Sequence, residues 1–129
     1  MRLPSSVAAL CLLLALGALT ARTAEPVGRL SLVTDPTPGR ATQHGLAKLS
    51  AALRARGWEV DQGDPATRPV QIRVSTKPIS GLSAPESLSI SRIPRTGASA
   101  LLALSAPDDR GLMYALLDAA DRVAWAENP

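Results

Sequence analysis

An α+β fold is predicted by three features of the sequence. Two segments repeat apolar residues at helical spacing, about five short segments carry strand periodicity, and Pro and Gly fall between the periodic segments and not inside them. Together they imply the order β-α-β-β-β-β-α, in which two helices pack on a mixed sheet of about five strands as a two-layer sandwich.

Residues 1–24 are set apart before the elements are justified. Arg2 gives a short positive n-region, Val7 to Leu19 is almost unbroken apolar sequence, and small residues follow at Ala18, Ala21 and Ala24. This is the pattern of a secretory signal peptide, with cleavage after Ala21 or Ala24, and it implies a secreted or periplasmic protein. The apolar run falls well short of the roughly 20 residues a helix needs to cross a bilayer, so no membrane span is expected. Lipid anchoring is not expected either, because Leu10 and not a small residue precedes Cys11. The expected mature domain, 25–129, is of a size for one modest core.

The first strand is read at Arg29 to Thr34, closed by the turn Asp35-Pro36-Thr37-Pro38-Gly39. An amphipathic helix follows from Thr42 to Arg56, with Leu46, Leu49 and Leu53 on one face and Gly57 placed for a left-handed C-cap. Trp58-Glu59-Val60 resumes an extended pattern. Val70, Ile72 and Val74 then alternate with Gln71, Arg73 and Ser75, the period of a half-buried strand. Ser87 to Ile93 alternates through Leu88, Ile90 and Ile93, and Ala100 to Leu104 reads as a short strand buried on both faces. Pro107-Asp108-Asp109 opens the last helix, where a carboxylate caps free N–H groups. That helix is expected to run to about Trp125. Leu112, Leu116, Ala119, Ala120 and Val123 share a broad apolar face, and Asp118 and Arg122 pair at i, i+4.

Loss of the signal removes Cys11, so the mature chain has neither a disulfide framework nor a thiolate metal site. The charge also falls: the full chain has 14 basic and 11 acidic residues, and without Arg2 and Arg22 there remain 12 against 11, or +1. The basic residues are scattered, which gives no footprint for nucleic acid. His44 is the single histidine and cannot build a zinc site of the usual kind, so no metal and no cofactor are expected. Glycines occur singly, without a phosphate-cradling loop, and no Gly-x-Ser-x-Gly elbow marks a nucleophile. Asp108 and Asp109 are adjacent carboxylates that helix capping explains without invoking glycoside chemistry.

Two motifs carry a family resemblance. The run from Ala103 to Val123, ALSAPDDRGLMYALLDAADRV, resembles the strand–turn–helix that ends the non-catalytic, zincin-like N-terminal domain of α-glucuronidases and β-hexosaminidases. Upstream, Pro85-Glu86-Ser87-Leu88-Ser89-Ile90 resembles a strand of the same domain. The resemblance implies an accessory domain of an exported glycoside hydrolase involved in polysaccharide degradation. Its partner would be a catalytic (β/α)₈ barrel, which lies outside this sequence as in a fragment or truncated gene product, and the chain itself would not be an enzyme. The alternative is a free-standing exported module that binds carbohydrate or protein.

Aromatic residues are too few for an obvious sugar platform: Trp58, Tyr114 and Trp125 are the whole set, and each is assigned to the core or to a domain interface. Trp125 is the first choice for a partner contact. Met113, Leu117, Ala120 and Ala124 form a second apolar stripe on the last helix, about 100° from the first. Met113, Leu117 and Trp125 are therefore the candidate interface, either for a barrel or for self-association.

Overall fold

The computed structural model describes residues 25–35, 37–62, 68–94 and 100–126; residues 1–24, where a signal peptide is expected, lie outside them. Seven elements follow the predicted order: β1 (Gly28–Thr34), α1 (Arg40–Ala55), β2 (Trp58–Gln62), β3 (Val70–Thr76), β4 (Ser89–Ile93), β5 (Ala100–Ala106) and α2 (Asp109–Trp125). The sheet order is β2-β1-β3-β5-β4. Strands β2, β1, β3 and β5 are parallel, and β4 runs antiparallel to β5 at one edge. The fold is thus α+β with a mixed five-stranded sheet and two helices.

Strand parity and helix spacing converge on one core. Leu30 and Leu32 of β1, Ile72 and Val74 of β3, and Leu104 and Ala106 of β5 meet Leu46, Leu49 and Leu53 of α1 and Leu112, Ala115, Leu116 and Ala119 of α2. The helices cross closely at Gly45, where a Cβ would sit 2.8 Å from Cβ of Leu116 and 3.2 Å from the Met113 carbonyl oxygen. Gly57 ends α1 with φ +83°, the left-handed conformation expected of it.

Several local expectations are corrected. The strand expected from Ser87 starts only at Ser89, because Ala84 to Ser87 form a turn in which the Ser87 amide and hydroxyl both donate to the Ala84 carbonyl, at 3.3 and 2.7 Å. Ile93 is exposed on the face opposite the helices. Being odd-numbered, it cannot share a strand face with Leu88 and Ile90, which do pack on the core. Gln71 was expected to meet solvent, yet it is only 3 % exposed. Its strand is central, and Gln71 lies in register between Ser31 and Leu101.

Candidate functional site

The densest polar construction in the domain is the junction between β5 and α2. Asp108 adopts the extended conformation of an N-cap, and its Oδ1 accepts from the Gly111 amide at 2.8 Å. Its other oxygen accepts from the Glu86 amide at 2.8 Å. Glu86 is held at φ +61°, uncommon for a residue with a side chain, and its carboxylate pairs with Arg110 at 3.2 Å. Gly111 admits the turn: a Cβ there would meet the Ser87 carbonyl oxygen at 2.5 Å. The Pro85-Glu86-Ser87 segment and the Asp-Asp-Arg-Gly segment therefore interlock.

Asp109 does something the sequence does not suggest. Its carboxylate caps the other helix, accepting from the amides of Ala41 and Thr42 at 3.0 and 3.1 Å and from the Thr42 hydroxyl. Gly39, the N-cap of α1, has no side chain to do this, and a Cβ there would collide with the Asp109 carboxylate. The one sequence signal is a glycine where Ser, Thr, Asp or Asn normally stands. Both carboxyls are held below the ordinary aspartate value, Asp108 chiefly by the Gly111 amide and Asp109 chiefly by the Thr42 hydroxyl. Ionised acceptors already committed to N–H and O–H donors are suited to capping and unsuited to general acid work.

This junction also fills the place where open α/β sheets bind ligands, the crevice at the carboxyl ends of parallel strands. Between β1 and β3 the crevice lined by Asp35, Thr42, Thr76 and Leu112 has about 20 Å³ of space, room for about one water. Asp35 spans it by accepting from the Thr76 amide at 2.7 Å.

The predicted interface residues share α2 but not one environment. Met113 and Leu117 are half-buried, whereas Trp125 is 85 % exposed. Ala120 belongs to the core, which narrows the second stripe to Met113, Leu117 and Ala124. The reason is the breadth of the α1–α2 contact, which covers a wider arc of α2 than a sheet face alone. Of the aromatics, Trp58 packs against the core with its ring over Gly28. Tyr114, 43 % exposed, and Trp125 lie outside the core, on the outer side of α2. The expected Asp118–Arg122 pair is present at 2.9 Å, and His44 is exposed on α1. Among the described residues no group of three His, Cys, Asp or Glu is arranged to hold a metal, and no helix is long and apolar enough to cross a membrane.

Two of the depressions among the described residues have ligand-like size. One, about 280 Å³, lies on the helix-free face beside β4 and is lined by Lys77, Ile79, Ser89, Ser91 and Ser105. The other, about 300 Å³ and almost wholly apolar, opens beneath the C-terminal ends of both helices, with Trp58, Leu30, Ile72, Leu102 and Val123 in its lining.

No family model matches the chain, and no curated protein matches it. Among solved structures, the glycoside hydrolase family 84 protein CpGH84D resembles it in fold, with a TM-score of 0.57 at 8 % sequence identity. The alignment covers 78 % of this chain and 18 % of that one, so the chain spans under a fifth of its structural neighbour.

Proposed function

We propose that this protein is a non-catalytic accessory domain of an exported glycoside hydrolase, a domain that packs against a catalytic barrel and performs no chemistry itself. The observation that carries this reading is the proportion of the fold likeness. Most of this chain superposes on a small part of a glycoside hydrolase, as expected for an appended domain. The interlock of the Glu86 turn with the Asp108–Gly111 turn supports it, since the two segments that resemble the N-terminal domain of α-glucuronidases and β-hexosaminidases form one structural unit. Asp108 and Asp109, the adjacent carboxylates a glycosidase reading would seize on, are both engaged as helix caps. Met113, Leu117 and Trp125 are the surface offered to the barrel or, without it, to a second copy. Turnover of aryl glycosides by the purified protein tests the reading: none is expected, and activity lost in Asp108→Asn with the fold intact would overturn it.

One observation favours a second reading, an exported carbohydrate-binding module. Tyr114 and Trp125 are both exposed and stand eleven residues apart on α2, about 16 Å along the helix. Retention of the protein on insoluble xylan or chitin, abolished by Trp125→Ser, would favour this reading over the accessory domain.

A further inference from the structure

The helix-free face of the sheet carries a polar groove whose hydrogen-bonding side chains are idle. Strand register sets its floor: Ser105 of β5 lies between Ser75 of β3 and Ser89 of β4, and on the next row Ala103 lies beside Ser91. Strand parity turns Ser89, Ser91, Ala103 and Ser105 to one face, away from the helices. One wall is the tight turn Ile79–Leu82, in which the Leu82 amide donates to the Ile79 carbonyl at 3.0 Å. Lys77 directly follows β3, and its amide donates to the Ala106 carbonyl at 2.9 Å, which holds it at the Ser105 end of the groove. Ile93, in register with Leu101, stands at the other end.

Ser105 is only 5 % exposed, and its hydroxyl has no hydrogen-bond partner among the described residues. Unlike the hydroxyl of Ser50 it is not sealed off, and the opening it keeps is the groove. A nearly buried hydroxyl left to an open groove is a group that a ligand can satisfy. The hydroxyls of Ser89 and Ser91 are unpartnered too, and Lys77 enters no ion pair among the described residues. Asp35 accepts from the amide next to Lys77, that of Thr76, and does not pair with the ammonium. No acidic residue lines the groove, and Arg73, exposed on the row of Ala103 and Ser91, adds a second positive charge to the same face. At about 280 Å³ the groove is at the small end of ligand sites. Because it is open to solvent, apolar burial contributes little there and the polar groups decide what binds. An ammonium only donates, which calls for an anion, whereas a serine hydroxyl both donates and accepts, which suits the hydroxyls of a ligand. We propose that the groove binds a small hydroxylated carboxylate of the sugar-acid class, with its carboxylate on Lys77, its hydroxyls on Ser89, Ser91 and Ser105, and a C–H face against Ile79 and Ile93. The site lies across the sheet from Tyr114 and Trp125 and stands whichever of the two readings of the domain holds.

Galacturonate, galactose and cyclohexanecarboxylate separate the charge from the hydroxyls. In the ¹⁵N-labelled full chain, galacturonate should shift the amide signals of Lys77, Ser89, Ser91 and Ser105 saturably, with Kd about 10 mM, and leave the indole N–H of Trp125 in place. Galactose should bind about fivefold more weakly for want of the charge, and cyclohexanecarboxylate about fivefold more weakly for want of the hydroxyls. Lys77→Gln should erase the difference between galacturonate and galactose. Ser105→Ala should weaken both sugars about threefold while the rest of the amide spectrum stays in place. No saturable shift at these four residues, equal binding of galactose or cyclohexanecarboxylate, inorganic phosphate binding as tightly as galacturonate, or a Lys77→Gln variant that still prefers galacturonate would each overturn the proposal. If Ser105→Ala perturbs the fold, Lys77→Gln, at an exposed position, decides alone.

Discussion

Replacing Asp109 by alanine removes the N-terminal cap of a helix that ends more than fifty residues before it in the chain. Two amides of the first turn of α1, Ala41 and Thr42, lose their acceptor, and the Thr42 hydroxyl, in a residue only 2 % exposed, loses its short partner. Loss of an N-cap typically costs about 1 kcal/mol, and leaving a buried hydroxyl poorly satisfied adds roughly 1–3 kcal/mol. Because these losses share atoms they do not simply add, and about 3 kcal/mol is expected. For a domain of about 100 residues that is roughly a 12–24 °C fall in Tm. Urea unfolding followed by circular dichroism measures it. The sharper test is a change of sign. In the wild type, Gly39→Ser is destabilising, because its Cβ meets the Asp109 carboxylate. In the Asp109→Ala background the space is free, and the same serine supplies a local cap that restores about 1 kcal/mol. An Asp109→Ala loss below about 0.5 kcal/mol, or a Gly39→Ser effect of the same sign in both backgrounds, would refute the cross-capping account.

Three further outcomes are expected. Gly45→Ala sets about 1 kcal/mol of helix propensity against a Cβ 2.8 Å from that of Leu116; overpacking of about 1–3 kcal/mol wins, so thermal unfolding should show a net loss. The lowered Asp108 and Asp109 values mean that the folded state favours the ionised forms. Their stabilisation is full above the ordinary carboxylate value of 3.8 and is lost as pH falls below it, so acid titration of wild type beside Asp109→Ala should show the two curves converging at low pH. Self-association through the outer side of α2 should appear in sedimentation velocity and be reduced by Leu117→Lys and Trp125→Ser; a wild type that is strictly monomeric at all concentrations would remove that surface from consideration.

Elements whose signal is periodic were legible in the sequence, because periodicity reflects burial against one layer. α1 and α2, the alternation of β3 and the apolar run of β5 are of this kind. Asp108 was legible as a cap because capping of its own helix is local. Asp109 was not, since its partners lie 67 and 68 positions away and nothing in the neighbouring residues encodes that contact. The start of β4 differs from the expectation because the Ala84–Ser87 turn, closed by its own Ser87–Ala84 hydrogen bonds, is also held by Asp108 and Arg110, more than twenty positions away. Scarcity and position along the last helix assign Tyr114 and Trp125 to the core or to an interface without choosing between the two. Composition gives no direction in space, and the helix phase set by Leu112 and Leu116 turns both rings outward. Of the interface candidates, Trp125 follows that outward phase, whereas Met113 and Leu117 lie half-buried on the adjacent stripe.

The dependence of α1 on Asp109 has a consequence for the order in which the chain folds. A ribosome delivers β1 and α1 first, and at that stage the first turn of α1 has neither a capping side chain of its own nor α2 to lean on at Gly45. Contacts that span more than half the chain form late, since their loop must close before they contribute. An emerging chain would keep its leading βα segment frayed until residue 109 arrives, then complete both helix starts at once through two adjacent aspartates. The domain would consequently emerge as loose polypeptide and become cooperative only when almost its whole length is available.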